Sequence, residues 1–437
     1  MERKAMRQLI NWKSKKDHKP LIIRGARQVG KTYLMLEFAK KHYRQYAYIN
    51  FDIDNKLREI FENDYETDRL IMEIGIAAGI RINPEDTLII FDEIQECPRA
   101  LTSLKYFREN APQYDIIAAG SLLGVASHEG TGFPVGKVSF MDLYPLNFEE
   151  FLLAMGKAQL AELLEKQDYG TIKKFSNKYE NLLKQYCYIG GMPDIVKDFA
   201  ENKDFISARE IQKEILASYE EDFAKHIPAG TVARTRLLWK SVPAQLSKEN
   251  KKFIYGAVKD GARAREFEAA LSWLINSGLI YKANKITKPD IPLSAYEDFS
   301  AFKLYMLDVG LLGAMSGLEA KTIIDGNKIF EEFKGAIAEQ YVFQQFKAMD
   351  DIPVFYWTND TSRAEIDFII QLGSNAVPVE VKSSINLQAK SLKGYIQKYS
   401  PLFAIRTSTA DYKKTENLTD LPLYAICNAQ ICEKMLK

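Results

Sequence analysis

The sequence predicts an α/β protein whose N-terminal part is a doubly wound parallel sheet. In residues 1–150, short apolar runs alternate with segments of helical periodicity, as in parallel strands joined by crossover helices. A glycine-rich segment lies between the first apolar run and the helix that follows it. From about residue 325 the chain again alternates strand and helix patterns, with a last predicted strand at 423–426, which predicts a second α/β unit at the C-terminal end.

Five apolar runs predict the strands of the N-terminal sheet. Each run is short, and a helical or glycine-containing segment separates it from the next, as for buried strands of parallel sheets. The predicted strands are residues 21–23, 46–51, 87–91, 115–119 and 137–141. The pattern then changes, and residues 148–224 are predicted to be mostly helical, with a glycine-containing turn at 190–193.

The segment between the first strand and its helix has the phosphate-binding pattern G-x-x-x-x-G-K-S/T. Its residues are Gly25, Ala26, Arg27, Gln28, Val29, Gly30, Lys31 and Thr32. Glycines at these places let successive backbone N–H groups point at phosphate oxygens, and the helix N-terminus adds a positive dipole end. We expect Lys31 to reach the β- and γ-phosphates and Thr32 to ligate Mg²⁺. A chance match on a tight turn is the alternative, and the flanking strand and helix favour binding of ATP with Mg²⁺.

Acidic residues end the third predicted strand, as a phosphate-binding loop requires. A fully buried strand at 88–91 would deliver Asp92 to its carboxyl end, beside the loop. Asp92 would hold Mg²⁺ through water, and Glu93 would orient and activate the attacking water. The alternative is a pair of acids on a surface loop. Ser121, after the next strand, is the candidate sensor of the γ-phosphate, with an N-cap or turn as its alternative role.

An arginine finger is not identifiable from the sequence. Arg27, Arg99 and Arg236 are candidates, and none is distinguished from a solvated surface arginine. A homo-oligomer therefore stays open.

Composition and charge exclude several classes of protein. The chain has 437 residues, of which 46% are hydrophobic and 27% charged, so a globular protein of two to four domains is expected. No apolar run approaches the length of a membrane span, and no apolar signal segment begins the chain. The four cysteines form no C-x-x-C pair, so disulfide and zinc frameworks are not expected. We expect a cytoplasmic protein that does not associate with membranes, and the net charge of +1 says nothing about its partners.

The patterns divide the chain into four predicted parts. These are an ATPase core at 1–152, a helical lid or linker at 153–228, a winged-helix-like segment at 229–324 and a C-terminal α/β domain at 325–437. The third part is predicted from a helical pattern at 264–274, a glycine turn and a short strand at 279–281, which together are typical of the end of a winged helix-turn-helix. A plain helical bundle is the alternative.

A second candidate site lies in the C-terminal part. Asp367 and the pair Glu380 and Lys382 stand in two alternating apolar segments, and alternation places Glu380 and Lys382 on one face. Glu339 lies in a predicted helix upstream. If the strands pair, the carboxylates would bind Mg²⁺, which supports phosphodiester cleavage, and Lys382 would position or deprotonate the water. A surface hairpin with a cross-strand ion pair is the alternative.

Basic residues follow this second site. No acid occurs in residues 383–400, which include Lys390, Lys393 and Lys398. Aromatic residues are near in sequence, namely Trp357, Tyr395 and Tyr399. Such positions could contact a nucleic-acid backbone, and a solvated amphipathic helix explains the same lysines equally well.

Several segments together resemble the prokaryotic AAA-type ATPases often called archaeal-type ATPases. They are RGARQVGKT at 24–32, YINF at 48–51, FDEIQ at 91–95, GSL at 120–122, YPLNFEEFL at 144–152, GGMP at 190–193 and FKLYMLDVGLL at 302–312. The resemblance implies an AAA-like core, a winged-helix segment and a C-terminal restriction-endonuclease-like domain of the PD-(D/E)xK type. By position, Asp367 is then the motif aspartate, Glu380 and Lys382 form E-x-K, and Glu339 is the helical acid.

Two functions follow as hypotheses. The first is an ATP-hydrolysing protein that acts on nucleic acid, DNA rather than RNA, with a Mg²⁺-dependent nuclease domain whose access ATP controls. The second is a nucleotide-dependent switch that binds DNA or a protein partner and cleaves nothing. A small-molecule kinase is a third reading of the phosphate-binding loop, and no part of the sequence resembles an acceptor pocket.

Overall fold

The computed structural model of the protein forms two compact units. It describes residues 2–53, 56–121, 133–248, 251–319, 334–349, 352–359, 364–382 and 389–427. The smaller unit comprises residues 2–144 with 276–278, and the larger unit comprises residues 145–275 and 279–437 with Met1. The predicted end of the ATPase core, at residue 152, falls shortly after this division.

The smaller unit is built on a sheet of five parallel strands. They are β1 (Leu21–Arg24), β2 (Gln45–Asn50), β3 (Thr87–Asp92), β4 (Asp115–Gly120) and β5 (Ser139–Asp142), in the spatial order β2-β3-β4-β1-β5. The predicted parallel α/β sheet is confirmed. Because β4 lies between β1 and β3, the segments that follow these three strands meet at one edge of the sheet.

Helices alternate with these strands. They are α1 (Ala5–Ser14), α2 (Lys31–His42), α3 (Lys56–Glu59), α4 (Thr67–Ala78) and α5 (Pro98–Asn110). Every residue of β3 is buried, which explains its uninterrupted apolar sequence. Phe51, Phe61 and Phe91 form an aromatic group in the core, with ring centroids 5.6–5.7 Å apart. The burial of β3 fixes the position at which its terminal carboxylate emerges.

The larger unit begins with helices, as its sequence predicts. They are α6 (Phe148–Ala154), α7 (Ala158–Lys166), α8 (Tyr169–Lys174), α9 (Ser176–Ile189), α10 (Pro193–Asn202), α11 (Phe205–His226) and α12 (Ala229–Leu246). A capping box starts α6, because Asn147 accepts from the Glu150 backbone N–H while the Glu150 carboxylate accepts from that of Asn147. Later helices are α13 (Ala264–Asn276), α14 (Val309–Met315), α15 (Lys334–Lys347) and α16 (Lys390–Tyr399). No helix in the described ranges is both long and apolar enough to cross a membrane.

A mixed sheet of eight strands completes the larger unit. Its strands are β6 (Ile280–Ile286), β7 (Glu297–Met306), β8 (Val354–Thr358), β9 (Glu365–Leu372), β10 (Asn375–Val381), β11 (Ala404–Ser408), β12 (Lys413–Lys414) and β13 (Leu418–Pro422). Their spatial order is β12-β13-β11-β10-β9-β8-β6-β7. The strand expected at 423–426 is wrong, because Leu423–Ala425 is a 3₁₀ turn and the neighbouring strand is β13.

The helix and strand expected for a winged helix are present as α13 and β6. β6 and β7 form an antiparallel hairpin, as a wing would. However, β6 also pairs in parallel with β8, so the hairpin is the edge of the C-terminal sheet. Strands from the two predicted parts 229–324 and 325–437 thus share one sheet.

A buried carboxylate joins three parts of the larger unit. Asp308 Oδ2 accepts from the Gly191 N–H at 2.6 Å and from Gln344 Nε2 at 3.0 Å, while Oδ1 accepts from the Leu311 N–H at 3.0 Å. The side chain therefore caps α14 and fixes both the turn after α9 and the helix α15. Burial raises the pKa of Asp308, although these hydrogen bonds act to lower it.

Glycines let the backbone approach this carboxylate closely. Gly190 has φ +79°, and a Cβ added there would lie 2.0 Å from Asp308 Oδ1. A Cβ on Gly310 would lie 2.3 Å from the carbonyl oxygen of Ile189. No other residue fits either position without displacing backbone or the buried carboxylate.

Replacing Gly190 with alanine should destabilise the larger unit strongly. The added methyl group collides with Asp308, and φ is in the left-handed region, so we expect a loss of about 3 kcal/mol or more in the free energy of unfolding. Chemical denaturation of purified protein measures it. The matched control is Gly156→Ala, where φ is +70° but the space is open, and the expected cost is about 1 kcal/mol. Equal losses in both variants would contradict the steric argument.

A histidine is held at the amino end of β4, in the smaller unit. His18 Nε2 lies 2.6 Å from Asp115 Oδ1, and the Tyr43 hydroxyl donates to Asp115 Oδ2 at 2.5 Å. The hydrogen bond to Asp115 raises the pKa of His18 above its ordinary 6.5, against the opposing effect of burial. The protonated ring is thus favoured by the fold.

Stability should depend on pH through His18. Its folded-state pKa exceeds its unfolded value, so its contribution is complete below about pH 6.5 and is lost as pH rises through the raised pKa. We expect the difference in unfolding free energy between wild type and His18→Gln to shrink between pH 6 and pH 9. Urea denaturation over this range measures it. A difference that is constant or grows with pH would refute the assignment.

Candidate functional site

The phosphate-binding loop runs from the end of β1 to the start of α2. Gln28 and Gly30 have φ of +66° and +90°, which turns the backbone around the loop interior. A Cβ on Gly25 would lie 2.4 Å from the carbonyl oxygen of Leu143, so only glycine allows this close approach. Residues 25–30 therefore form a compact loop after β1, and Lys31 and Thr32 are the first two residues of α2.

Lys31 folds back over this loop. Its Nζ donates to the carbonyl oxygens of Gly25 at 3.0 Å and Ala26 at 2.8 Å. Burial lowers the pKa of Lys31 to about 8, against the raising effect of the Glu93 and Asp92 carboxylates. A phosphate group beside this ammonium would favour its charged form.

The two residues predicted to serve Mg²⁺ are hydrogen-bonded to each other. The Thr32 hydroxyl donates to Asp92 Oδ2 at 2.7 Å, and the Tyr48 hydroxyl donates to the same oxygen at 2.8 Å. Burial raises the pKa of Tyr48 to about 12, so this phenol is a stable donor. No role was predicted for Tyr48, although it belongs to the segment YINF at 48–51 and lies on the strand beside β3.

Glu93 and Ser121 are connected through one side chain. Gln95 donates from Nε2 to Glu93 Oε2, and its Oε1 accepts from the Ser121 N–H at 3.2 Å. Glu93 itself has φ of +51°, a costly conformation for a residue other than glycine that is typical of functional positions. Gln95 was part of the segment 91–95 but had no assigned role. It holds the predicted general base beside the end of β4.

The arginine candidates occupy different surroundings. Arg99 Nε donates to the carbonyl oxygen of Phe61 at 2.5 Å, and its guanidinium lies 4.8 Å from the Tyr65 ring centroid. Arg27 is in the phosphate-binding loop, and Arg236 lies on α12 of the larger unit. Arg99 thus has a structural role, and the choice of an arginine finger stays open.

The second site forms at the hairpin of β9 and β10. Phe368 pairs with Val379 in the antiparallel register, so Asp367 and Glu380 lie opposite each other one position further on. The Val381 N–H donates to Asp367 Oδ2 at 2.8 Å. Lys382 Nζ lies 2.7 Å from Glu380 Oε1. The hairpin predicted from the sequence is present and brings these side chains together.

Glu339 on α15 joins this group, together with lysines that the sequence analysis missed. Lys251 Nζ pairs with Glu339 Oε1, and Lys303 Nζ lies 3.8 Å from Glu339 Oε2 and 2.5 Å from Glu365 Oε1. Lys303 is fully buried on β7. We call these carboxylates (Glu339, Glu365, Asp367 and Glu380) and lysines (Lys251, Lys303 and Lys382) the carboxylate–lysine cluster. Lys251 and Lys303 are distant in sequence from all four carboxylates of the cluster, so no local pattern could have revealed their part in it.

The surroundings shift the pKa values of the carboxyl groups in the cluster in different directions. Loss of hydration, and then the charges of Glu339 and Glu380, raise the pKa of Asp367 well above its ordinary value. Burial also raises the pKa of Glu380, although Lys382 opposes this. In contrast, the ammonium groups of Lys251 and Lys303 lower the pKa of Glu339 despite its burial. Asp367 also hydrogen-bonds Glu339, so the carboxyl groups of the cluster titrate together.

The fit of the cluster to a divalent cation is partial. Glu380 Oε2 is buried and has no hydrogen-bond partner within the part of the chain that the structure describes, and an unpaired buried carboxylate oxygen favours a cation. However, no group of three or more Asp, Glu, His or Cys residues in the described ranges is arranged to hold a metal ion. Lys251 and Lys303 lie beside the oxygens of Glu339, and Lys382 lies beside Oε1 of Glu380. Asp367 and Glu380 are thus the residues that could hold a cation.

The basic residues after this site lie on the exposed face of α16. Lys390, Lys393 and Lys398 are exposed, whereas Tyr395 and Trp357 are buried against each other with ring centroids 5.2 Å apart. The aromatic residues therefore belong to the core, as expected for an amphipathic helix.

Comparison with known families agrees with the geometry of the first site. Residues 17–152 match the family model described as AAA domain. The N-terminal part of the chain is therefore similar to AAA domains. Residues 180–322 and 334–426 match two further models, described as Domain of unknown function (DUF8612) and Domain of unknown function (DUF4143). Only the model that matches the part of the chain with the first site is described by a class of protein.

The chain is also similar to individual proteins from archaea. An uncharacterized protein of Methanocaldococcus jannaschii is 31% identical over 200 residues, which span 45% of this chain and 39% of that protein. A Walker-type ATPase of Pyrococcus abyssi has a TM-score of 0.45 at 14% identity, over 71% of this chain and 94% of that one. The Aeropyrum pernix ORC1 protein, solved in complex with DNA, has a TM-score of 0.29 at 13% identity, over 71% and 91%. Scores of this size carry no argument about function.

Proposed function

We propose that the chain binds ATP with Mg²⁺ in the smaller unit and hydrolyses it there. The observation that carries this proposal is the hydrogen bond between Thr32 and Asp92 beside the buried Lys31. The phosphate-binding loop, the cation residues and a following glutamate are then in the places that nucleotide hydrolysis requires.

Each side chain has a defined part in this proposal. The loop N–H groups and Lys31 bind the phosphates, and Thr32 and Asp92 hold Mg²⁺ directly and through water. The cation would neutralise charge on the phosphate oxygens. Glu93 orients and deprotonates the attacking water, and Gln95 keeps Glu93 in place. Ser121 detects the γ-phosphate at the end of β4.

Lys31→Ala should abolish ATP turnover. The variant loses the charge that binds the β- and γ-phosphates, and we expect phosphate release to fall by at least about a hundredfold. Measured quantities are phosphate release and binding of a fluorescent ATP analogue. The control is Lys41→Ala, an exposed lysine on the same helix, which should behave as wild type. Wild-type turnover in Lys31→Ala would contradict the proposal.

For the larger unit we propose Mg²⁺-dependent cleavage of nucleic acid, DNA rather than RNA. Support comes from the convergence of Asp367, Glu380, Lys382 and Glu339 on one hairpin and helix, as the restriction-endonuclease-like resemblance implies. Asp367 and Glu380 would hold the cation. A water oriented by Lys382 attacks phosphorus, a new P–O bond forms, and the bond to the leaving sugar oxygen breaks. ATP turnover in the smaller unit would control access.

A specific observation also favours the second hypothesis, a switch without cleavage. The lysines of the carboxylate–lysine cluster already neutralise Glu339 and Glu365, so the cluster is close to electrically balanced without a metal ion. In this case the larger unit binds DNA or a protein partner in response to nucleotide. A homo-oligomer is compatible with both hypotheses.

Substitutions in the hairpin separate the two hypotheses. If the site cleaves, Asp367→Asn, Glu380→Gln and Lys382→Met should each reduce Mg²⁺-dependent degradation of DNA by about a hundredfold or more. The assay uses single- and double-stranded DNA and RNA, with and without ATP. Lys393→Ala, an exposed lysine on α16, is the control. Cleavage that is unaffected by the three substitutions would contradict the nuclease proposal. A wild-type protein that cleaves no nucleic acid would support a nucleotide-dependent switch without cleavage.

A further inference from the structure

Glu339 has both carboxylate oxygens engaged by lysines. Lys251 pairs with Oε1 and Lys303 approaches Oε2 at 3.8 Å, where the Tyr305 hydroxyl also lies 3.4 Å away. The closest of these contacts is the ion pair of Lys251 with Oε1. The positive charge at that oxygen opposes the approach of a metal ion to it.

The two lysines differ in how readily they could leave. Lys303 is in the middle of β7, its side chain has no exposed surface, and it also pairs with Glu365 at 2.5 Å. It is a fixed charge of the sheet. Lys251 lies between α12 and the 3₁₀ turn Tyr255–Ala257, outside any strand or helix, and its side chain is 11% exposed. The backbone of Phe253, two residues further on, is hydrogen-bonded to Phe302 of β7, so the part of Lys251 that could leave Glu339 is its side chain.

We propose that Lys251 is a built-in counterion that competes with a divalent cation for Glu339, so that withdrawal of Lys251 converts a weak metal site into a strong one. This inference rests on the proposed metal-dependent role of the carboxylate–lysine cluster. With Lys251 in place, Asp367 and Glu380 alone hold the cation. With Lys251 withdrawn, Glu339 Oε1 becomes the third carboxylate ligand.

Charge explains the size and direction of the effect. An ammonium group a few ångströms from a divalent cation repels it strongly at partly buried positions. The Lys251 ammonium also neutralises the buried Glu339 carboxylate. If Lys251 leaves, another positive charge has to take its place, and a divalent cation is suited to carboxylate oxygens. The loop that carries Lys251 would therefore set the metal affinity of a site built on other elements.

The test is the affinity of the full-length, nucleotide-free chain for Mn²⁺, measured by electron paramagnetic resonance of the free ion. We expect Lys251→Met to bind Mn²⁺ at least about tenfold more tightly than wild type. Two controls accompany it. Lys252→Met changes the adjacent exposed lysine and should leave the affinity unchanged. Lys251→Arg keeps the positive charge and should bind Mn²⁺ no more tightly than wild type.

A double-mutant cycle identifies the competing carboxylate. Glu339→Gln should change the wild-type affinity little, because Lys251 already occupies that carboxylate, and it should remove the gain seen in Lys251→Met. Mn²⁺-dependent shifts in melting temperature give the same comparison and report whether each variant is folded. Failure of Lys251→Met to bind Mn²⁺ more tightly overturns the inference, as does a gain that persists in the Glu339→Gln background.

The outcome is separate from that of the nuclease assay. A chain that binds Mn²⁺ as expected but cleaves no nucleic acid refutes the cleavage proposal and supports the counterion. If Lys251→Met does not fold, Lys251→Arg and Glu339→Gln test the inference instead. Tighter Mn²⁺ binding by Lys251→Arg would contradict competition between Lys251 and the cation, as would much weaker Mn²⁺ binding by Glu339→Gln. Absence of Mn²⁺ binding in all variants at millimolar concentration overturns it as well.

Discussion

The larger unit depends on one buried carboxylate, that of Asp308. An ionised group without solvent is stable only when donors surround it, and here the donors come from the Gly191 turn, α14 and Gln344 of α15. The same helix uses Gln340 to bond both backbone groups of Met306 at the end of β7. Glu339 is the neighbour of Gln340, so the network that fixes α15 also aims Glu339 at the hairpin. Scaffold and candidate site share one helix.

The two candidate sites differ in how the chain builds them, and this decides what the sequence could predict. The phosphate-binding loop is made by eight consecutive residues, and β3 is buried throughout, so local pattern was sufficient there. Strand periodicity predicted that Glu380 and Lys382 share one face, whereas the place of Asp367 depended on the pairing of β9 with β10. Lys303 came into the site through pairing of β6, β7 and β8, and Lys251 came from the segment between α12 and the 3₁₀ turn at Tyr255. No local pattern specifies either contact. The same long-range pairing made the expected wing an edge of the sheet, and the strand expected at 423–426 failed because its apolar run is a buried turn.

Electrostatics also separates the sites. In the smaller unit, neutral donors such as Tyr48 and Gln95 hold the acids. In the larger unit, ammonium groups already neutralise the acids. A cation that binds at the second site would therefore compete with lysine side chains for the carboxylates. At the first site, the acids are held by neutral donors and no such competition is expected.

The glycines at 190 and 310 carry a consequence for recognising related chains. Because their side-chain space is filled by Asp308 and by backbone, the requirement for glycine comes from packing and is independent of any reaction. A homologous chain could lose Lys382 or Glu380 and still need both glycines and the aspartate in order to fold. These residues are therefore a marker of shared architecture, while the carboxylates and lysines of the hairpin are a marker of shared chemistry. Chains that keep the first marker without the second would be natural examples of the scaffold used for binding alone.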